Sequence, residues 1–231
     1  MKKMLTILFV FSLIISLFAC KKTEVEDFTT SNVEMYQKEK EIFSYIKHFD
    51  IDNTNGYDYS LEQKYNDNVV NSHLISVRID RSRYVGSRIE NKKTINSDIY
   101  GEQYINESAT AYYKNNMIGT FKNNEWSWTL CTLFDFSSVN IEYFDIDISN
   151  VYDLQLSSNE DYSTLTFKVK DSDASLLLGV SDNIKNLSFI IIVDTSKEQL
   201  INFNMSYSQN LTTTQFSFAP YYGVVEIEMP E

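Results

Sequence analysis

The chain has 231 residues, with 32 acidic against 20 basic side chains and a formal net charge of −12. A surface of that sign repels phosphate backbones, so the composition argues against a nucleic-acid partner. The 16 Tyr and 15 Phe, set against 6 Gly and 2 Pro, predict long strands in a large sheet, because aromatic residues favour strands and Gly and Pro interrupt them.

The first 19 residues have the three parts of a secretory signal. Lys2 and Lys3 form a basic start, residues 4–17 form an apolar core, and Ala19 is the small residue before the cleavage point. This core is shorter than the roughly 20 residues that a membrane-spanning helix needs, which disfavours a transmembrane anchor. The sequence therefore predicts export from the cytoplasm, with residues 1–19 as a signal peptide.

Cys20 closes the run Leu17-Phe18-Ala19-Cys20 directly behind this core. The run resembles the lipobox of bacterial lipoprotein signals, in which the cysteine receives a diacylglyceryl group with fatty acyl chains such as palmitate. The resemblance implies lipid attachment at Cys20 and a location on the extracytoplasmic face of a bacterial membrane, within the cell envelope. Residues 20–30 are then the lipidated cysteine and a polar tether, and residues 31–231 are predicted to form a single β-rich domain, since no repeat or second boundary interrupts them.

An amphipathic helix is predicted at residues 32–48. Ser31-Asn32-Val33-Glu34 has the spacing of a capping box, and apolar residues then recur at helical spacing opposite a charged face. Such a helix has to cover an apolar surface. His48 stands near its C-terminal end, where a cation complements the helix dipole.

From Gly56 onward apolar residues alternate with polar ones, which is the period of a half-buried strand. The pattern predicts a mainly β (α+β) fold, in which a large antiparallel sheet is covered by the N-terminal helix and one or two short helices. Asn115-Asn116 and residues 194–198 are predicted turns between strands. The predicted strands are 57–65, 74–79, 84–91, 95–105, 110–114, 117–121, 125–133, 151–157, 164–170, 187–193, 200–206, 213–218 and 224–229.

Short helices are predicted at two places outside these strands. Residues 174–178 form a helical turn in this interpretation. Residues 134–150 stay open, and a short helix capped by Ser137 or Ser138 is one alternative.

Residues 50–58 are the best candidate for a metal site. A calcium loop needs oxygen ligands at positions 1, 3 and 5, Gly at position 6 and a bidentate Glu at position 12. A frame that starts at Asp50 puts the glycine and the final Glu out of register, and a frame that starts at Ile51 begins with an aliphatic side chain. We therefore predict a polar turn in which Gly56 supplies a positive φ, with neither a metal nor a cofactor.

No motif specifies catalysis, and the chain is predicted not to be an enzyme. The carboxylate pairs Asp145/Asp147 and Asp171/Asp173 would point the same way on a strand, but such pairs are usually solvated. Cys131 lies in an apolar, strand-like run, which favours a buried, unreactive thiol over a nucleophile.

Four aromatic residues are candidates for lining a hydrophobic ligand. Trp126 and Trp128 share one face of a predicted strand, and Phe216 and Phe218 share one face of another. Two interpretations stay open, an ordinary sheet core under the helix or a concave apolar face that holds an acyl chain. One helix covers only part of a large sheet, so some apolar surface needs a cover from ligand, partner or membrane.

The order of elements resembles the LolA-like lipoprotein-carrier superfamily, which includes lipid-binding lipoproteins of mycobacteria. Segments that carry the resemblance, besides the lipobox and the N-terminal helix, are 112–117, 189–194 with its turn into 200–203, and 225–230. The resemblance implies a strongly curved half-barrel sheet, closed by helices and enclosing a hydrophobic cavity for lipid or lipidated cargo. Residues 134–150 would then be a covering element.

The leading expectation is a lipid-anchored, non-enzymatic protein that binds or carries a hydrophobic ligand. Its partners would be the membrane, through lipid on Cys20, and a hydrophobic small ligand. The alternative is a surface interaction or adhesion lipoprotein that meets a protein partner through its sheet edge or an apolar face. An enzyme would instead need a pocket that unites His48 or His73 with carboxylates.

Overall fold

The computed structural model of the chain describes residues 37, 40–42, 44–45, 50–98, 101–122, 124–138, 151–180 and 183–230. Cys20, the signal peptide, the tether, His48 and the pair Asp145/Asp147 lie outside these residues. Residues 41–231 form one compact unit, and of residues 1–40 only Gln37 and Lys40, both helical, are described. Within the described ranges, no helix combines the length and the apolar character needed to cross a membrane.

Within the described residues, eleven strands form one sheet in the order β6-β5-β4-β3-β2-β1-β11-β10-β9-β8-β7, and every neighbouring pair is antiparallel. The prediction of a mainly β fold with a large antiparallel sheet is confirmed. The strands are β1 (Gly56–Tyr65), β2 (Asn68–Asp80), β3 (Val85–Asp98), β4 (Gly101–Lys114), β5 (Met117–Lys122), β6 (Glu125–Leu130), β7 (Val151–Ser158), β8 (Tyr162–Val169), β9 (Ile184–Asp194), β10 (Gln199–Gln209) and β11 (Thr212–Pro220).

The sheet is a meander in which one pair of neighbouring strands, β1 and β11, is far apart in sequence. Chain neighbours pair throughout, except that β1 pairs with β11 and the chain between β6 and β7 joins the two edges. The sheet is therefore open, as a half-barrel is, and not closed into a barrel. Among the described residues after the N-terminal helical segment, the short helical elements are a 3-10 helix (Ile51–Asn53), α1 (Leu133–Ser137) and α2 (Asp171–Leu177).

Two predicted turns are confirmed. Asn115 and Asn116 have φ values of 53° and 57° between β4 and β5, the left-handed pair that a two-residue hairpin turn requires. Residues 194–198 turn β9 into β10 through Asp194, whose carboxylate accepts hydrogen bonds from the backbone N–H groups of Ser196 and Lys197. Asp80 makes the same bonds between β2 and β3, so two distant hairpins share one turn chemistry.

The two faces of the sheet differ because successive side chains point to opposite sides. One face, here called the buried face, carries two apolar clusters. The first contains Phe167, Phe189 and Phe203, and the second contains Tyr57 and Val77. The opposite face, here called the open face, carries mainly serine, threonine, asparagine and charged side chains.

Helical residues cover both clusters. Ile42 is 3% exposed and belongs to the first cluster, which supports the predicted role of the N-terminal helix; the described residues of that segment are all helical. Phe136 of α1 is 2% exposed in the second cluster. Gly86 makes room for it, because a Cβ there would fall 2.5 Å from the Phe136 ring.

Three sequence predictions about elements are wrong. Residues 95–105 are not one strand, since β3 ends at Asp98, which pairs with Gly101 at the start of β4. The strand at 125–133 ends at Leu130, and α1 follows with Thr132 as its N-cap in place of Ser137 or Ser138. A short helix and the helical turn at 174–178 are confirmed by α1 and α2.

Residues 224–229 are the third wrong prediction, because they form no strand. These alternating residues pack against the domain without pairing to a neighbouring strand. Asn55 Nδ2 donates to the Gly223 carbonyl at 3.0 Å, and Arg83 Nη2 donates to the Ile227 carbonyl at 3.3 Å. Ile227 is 6% exposed, so side-chain donors rather than a neighbouring strand hold this tail.

Candidate ligand-binding surfaces

A strip of half-buried apolar side chains runs along β1, β2, β10 and β11 between the two covered clusters. We call it the inner strip, and it consists of Tyr59, Leu61, His73, Tyr207 and Phe216. The strand register places all five on the buried face, with Leu61 paired to Phe216 on β11 and to His73 on β2. Phe216 packs against both clusters and so joins them.

Aromatic contacts fix the geometry of the inner strip. The Phe216 ring meets Tyr59 edge-on at 5.3 Å and Phe203 edge-on at 5.9 Å. Tyr59 in turn meets the His73 ring at 5.6 Å. These edge-to-face pairs stabilise the rings beyond their burial, so the strip presents an ordered apolar surface.

A charged cluster ends the inner strip on the β2–β3 side. His73 Nε2 lies 2.8 Å from Glu90 Oε1, and the Lys92 ammonium lies 2.8 Å from the same oxygen. Burial raises the pKa of Glu90, but the hydrogen bonds from Lys92 and His73 outweigh it, and the pKa lies below its usual range. Glu90 is thus held ionised, which makes it a poor general base.

A buried hydroxyl stands beside the strip on β11. Thr214 is 1% exposed, and its Oγ1 has no hydrogen-bond partner among the described residues. It is paired in register with Gln63 on β1 and Tyr207 on β10. An apolar strip with polar groups at its margin suits an amphiphile, because an acyl chain and a polar head need different surroundings.

The four aromatic residues predicted to line one hydrophobic site are not brought together. Phe218 is 1% exposed and packs against Tyr57 at 5.4 Å, as a core residue does. Phe216 belongs to the inner strip on the same face. Trp126 and Trp128 lie on the open face, because their β6 positions pair with Phe121 and Gly119 of β5, which alternate away from the buried face.

Trp126 and Trp128 form part of an aromatic cluster on the open face. Trp126 lies 5.4 Å from Tyr112, 5.3 Å from Phe121 and 6.2 Å from Trp128 between ring centroids. Phe121 is 54% exposed and Trp128 is 37% exposed. We call these four residues the outer shelf.

Two shallow grooves cross the open face beyond the outer shelf. The first, of about 250 Å³, is lined on β1 to β3 and β11 by residues that include Asp58, Ile89 and Asn91. The second, of about 320 Å³, continues over β9 and β10 and shares Ser60 and Ser217 with the first. Sequence reasoning missed these grooves and the inner strip, since both depend on which strands are neighbours.

The remaining candidate residues have structural roles. Cys131 is half-buried, and burial and the nearby Asp135 raise the pKa of its thiol, which favours the unreactive form. Asp171 and Asp173 do not share a strand face; both lie in the first turn of α2, where Asp171 accepts a hydrogen bond from the Asn186 N–H. Gly56 has the predicted positive φ, at 134°. Across the part of the chain that the structure describes, no group of His, Cys, Asp or Glu is placed to hold a metal ion.

Comparison with known proteins gives structural similarity alone. No protein-family model matches the chain, and no curated protein matches it. Among solved structures, it is similar to the lipoprotein LppX of Mycobacterium tuberculosis, with 11% identity, 81% of this chain and 98% of that chain covered, and a TM-score of 0.36. LprF from Mycobacterium bovis matches at 8% identity, with 83% and 97% covered and a TM-score of 0.37.

A LolA superfamily protein from Nitrosomonas europaea is also similar, at 7% identity, with 81% of this chain and 94% of that chain covered and a TM-score of 0.27. These similarities concern the fold alone.

Proposed function

We propose that the protein is a lipid-anchored, non-enzymatic binder of a hydrophobic ligand, lipid or lipidated cargo, at the extracytoplasmic face of a bacterial membrane. The observation that carries this proposal is the inner strip. Its rings are ordered by mutual contacts but only half-buried, between two clusters that helical residues cover. Each 100 Å² of apolar surface that a ligand covers there contributes about 2.5 kcal/mol.

The charged margin of the strip supports an amphiphilic ligand. An acyl chain lying on Tyr59 and Phe216 brings its polar end toward His73 and Lys92, where hydrogen-bond partners replace water. A wholly apolar ligand would leave those groups to solvent. The margin therefore orients the bound molecule, and the apolar strip supplies most of the affinity.

The binding site is held close to the membrane in this proposal. Lipid on Cys20 gives stable anchoring when it carries two or more chains, whereas one chain binds only marginally. A tether of about ten residues reaches at most roughly 35 Å. Cys20→Ser should abolish incorporation of a labelled fatty acid and release the protein or stop its processing. Continued labelling of the Ser variant would show that Cys20 is not the acceptor.

Ligand binding is tested on the mature chain from Lys21 onward, with a fluorescent fatty acid titrated into purified protein. Leu61→Asn places an amide on the inner strip and should weaken binding about tenfold or more, because burying a leucine contributes about 1.5–3 kcal/mol. The matched control is Leu211→Asn, at a hairpin turn where the leucine is 69% exposed; it should bind like the parent. Absence of binding by the parent, or equal loss in both variants, contradicts the proposal.

A protein partner is the second candidate function, favoured by the sheet edge. Among the described residues β6 pairs only with β5, and Leu130 at its end is 88% exposed. An edge strand offers unpaired backbone groups to an added strand. A photo-crosslinker at Thr129 that yields a stoichiometric protein adduct, with no lipid bound, would support this function over ligand carriage.

A further inference from the structure

The open face carries a surface of its own, separate from the inner strip. The strand register aligns Trp128, Gly119, Tyr112, Ser87 and Arg78 across β6, β5, β4, β3 and β2. With strands about 4.8 Å apart, this row is about 19 Å long. The outer shelf thus stands at one end of a line of polar side chains that leads to the two grooves.

Trp128 is held flat against the sheet. A Cβ on Gly119 would fall 2.7 to 2.8 Å from three atoms of the Trp128 ring, so the indole rests where only a glycine leaves space. Trp126 packs beside it, and Tyr112 and Phe121 hold Trp126. The 37% of Trp128 that stays exposed is therefore a rigid aromatic platform, which binds a ligand without losing much side-chain entropy.

The grooves begin on β3, three strands away from this platform, and are lined by hydroxyl, amide and carboxylate groups. Ser76 Oγ donates to Asp58 Oδ1 at 2.7 Å, and Ser60 and Ser217 lie in both grooves. Asn204 and Gln215 continue the lining over β10 and β11. Leu74, Ile89 and Ile190 are each more than 40% exposed and give apolar patches between the polar groups.

The charges of this surface select against an anionic ligand. Arg78 Nη2 donates to Asp58 Oδ2 at 2.8 Å, and Lys64 Nζ donates to Gln215 Oε1 at 2.9 Å. Both basic groups are thus already engaged, since Arg78 is paired with Asp58 and Lys64 also lies 3.6 Å from a Glu62 oxygen, and the lining offers an anion no unmatched positive charge. A phosphate or uronate chain would meet repulsion there, as it would from a protein of net charge −12.

Other ligand classes fit the surface less well. An acyl chain would bury the serine hydroxyls and amide groups without giving them partners, which costs about 1–3 kcal/mol for each group. A peptide cannot add as a strand across the grooves, because the strands beneath them pair on both sides. A sugar ring fits both parts, since its C–H face stacks on an aromatic ring while its hydroxyls exchange hydrogen bonds with amides, hydroxyls and carboxylates.

We propose that the open face binds an uncharged polysaccharide, with a sugar ring stacked on Trp128 and the following units hydrogen-bonded along the Asp58, Asn91 and Asn204 side of the sheet. The eight strand spacings from β6, which carries Trp128, to β9 give this path a length of about 38 Å. The site is independent of the proposed hydrophobic-ligand function, because the two surfaces lie on opposite faces of the sheet.

The test is native affinity electrophoresis of the mature chain through gels that contain a β-1,4-glucan, a β-1,3-glucan, an α-1,4-glucan, a mannan or the anionic polymer pectate. At least one neutral polysaccharide should retard the parent protein. Trp128→Leu keeps apolar area but loses the flat ring. It should raise the dissociation constant obtained from the retardation roughly tenfold. Trp128→Phe should retain most of the retardation.

Two further variants distinguish stacking on the Trp128 ring from nonspecific binding to exposed apolar side chains. Gly119→Ala keeps the Trp128 side chain but pushes its ring away from the sheet, and should weaken binding as Trp128→Leu does. Leu130→Ala removes a more exposed apolar side chain on the same strand face and should bind like the parent. Thermal melting of each variant checks that the fold is retained.

Three outcomes overturn the proposal. They are retardation by no neutral polysaccharide, retardation by pectate alone, and equal retardation of the parent and a folded Trp128→Leu variant. Loss of fatty-acid binding in Leu61→Asn with unchanged polysaccharide retardation would support both surfaces as separate sites.

Discussion

The buried and open faces of this sheet are built from the same strands, and alternate residues of one strand serve opposite purposes. On β9, Phe189 is 1% exposed inside the first cluster, while its neighbour Ile190 is 43% exposed beside a groove. The difference shows that side-chain size is not what assigns a residue to the core here. The strand register and the elements that cover each face make that assignment.

The largest expected effect on stability comes from a substitution in the first cluster of the buried face. Phe189 stacks on Phe167 at 5.0 Å and meets Phe203 at 5.7 Å. Phe189→Ala should lower the free energy of unfolding by about 3–5 kcal/mol, because it opens a cavity that the neighbours fill only in part. Ile190→Ala is the matched control and should change it by less than about 1 kcal/mol. Urea denaturation measures both, and similar losses would mean that the two faces are not distinct.

A smaller effect is expected where α1 covers the second cluster. Gly86→Ala brings a methyl group against the Phe136 ring, and should lower the free energy of unfolding by about 1–3 kcal/mol through overpacking. Phe136→Ala removes the ring and should also destabilise the protein. In the double variant the clash is absent, so the combined loss should be smaller than the sum of the two single losses. Additive losses would show that the glycine does not serve Phe136.

The smallest effect concerns the two matched turns at the ends of β2 and β9. The Ser196 hydroxyl and the Lys197 ammonium hold the pKa of Asp194 at about 2, and Ser82 and Arg83 do the same for Asp80. Because these pKa values lie below the unfolded value of 3.8, the stabilisation is fully present above about pH 5. It is lost as the pH falls toward 2.

Urea midpoints measured between pH 5 and pH 2.5 should therefore fall with acidification, and Asp194→Asn should flatten part of that fall. An unchanged pH profile in the Asn variant would contradict the role of this carboxylate. Asp194→Asn also separates the turns from the faces, because Asp194 belongs to neither apolar cluster.

The local parts of the fold could be predicted from sequence because they depend on local physics. The alternation of apolar and polar residues predicts most of the strands. The preference of asparagine for left-handed backbone predicts the hairpin turn at Asn115-Asn116. The strand predicted at residues 125–133 was too long, because Thr132 caps a helix that the apolar run conceals. The tail at 224–229 alternates like a strand but is held by side-chain donors, and no sequence pattern distinguishes the two.

The candidate surfaces needed information that the sequence does not carry. Trp126 and Phe216 were predicted to share one site, but strand alternation shows only which residues of one strand lie together. Their relation across the sheet depends on the pairing of β1 with β11, two strands far apart in sequence. That pairing joins the two halves of the meander and creates the inner strip, where Tyr59 meets Phe216.

The most direct test of the central claim is native mass spectrometry of gently purified mature protein. The parent should carry a bound amphiphile, Leu61→Asn should have lost it, and Trp128→Leu should carry it at the level of the parent. A parent protein free of ligand, or a ligand that Leu61→Asn retains in full, would contradict the claim that the inner strip binds it.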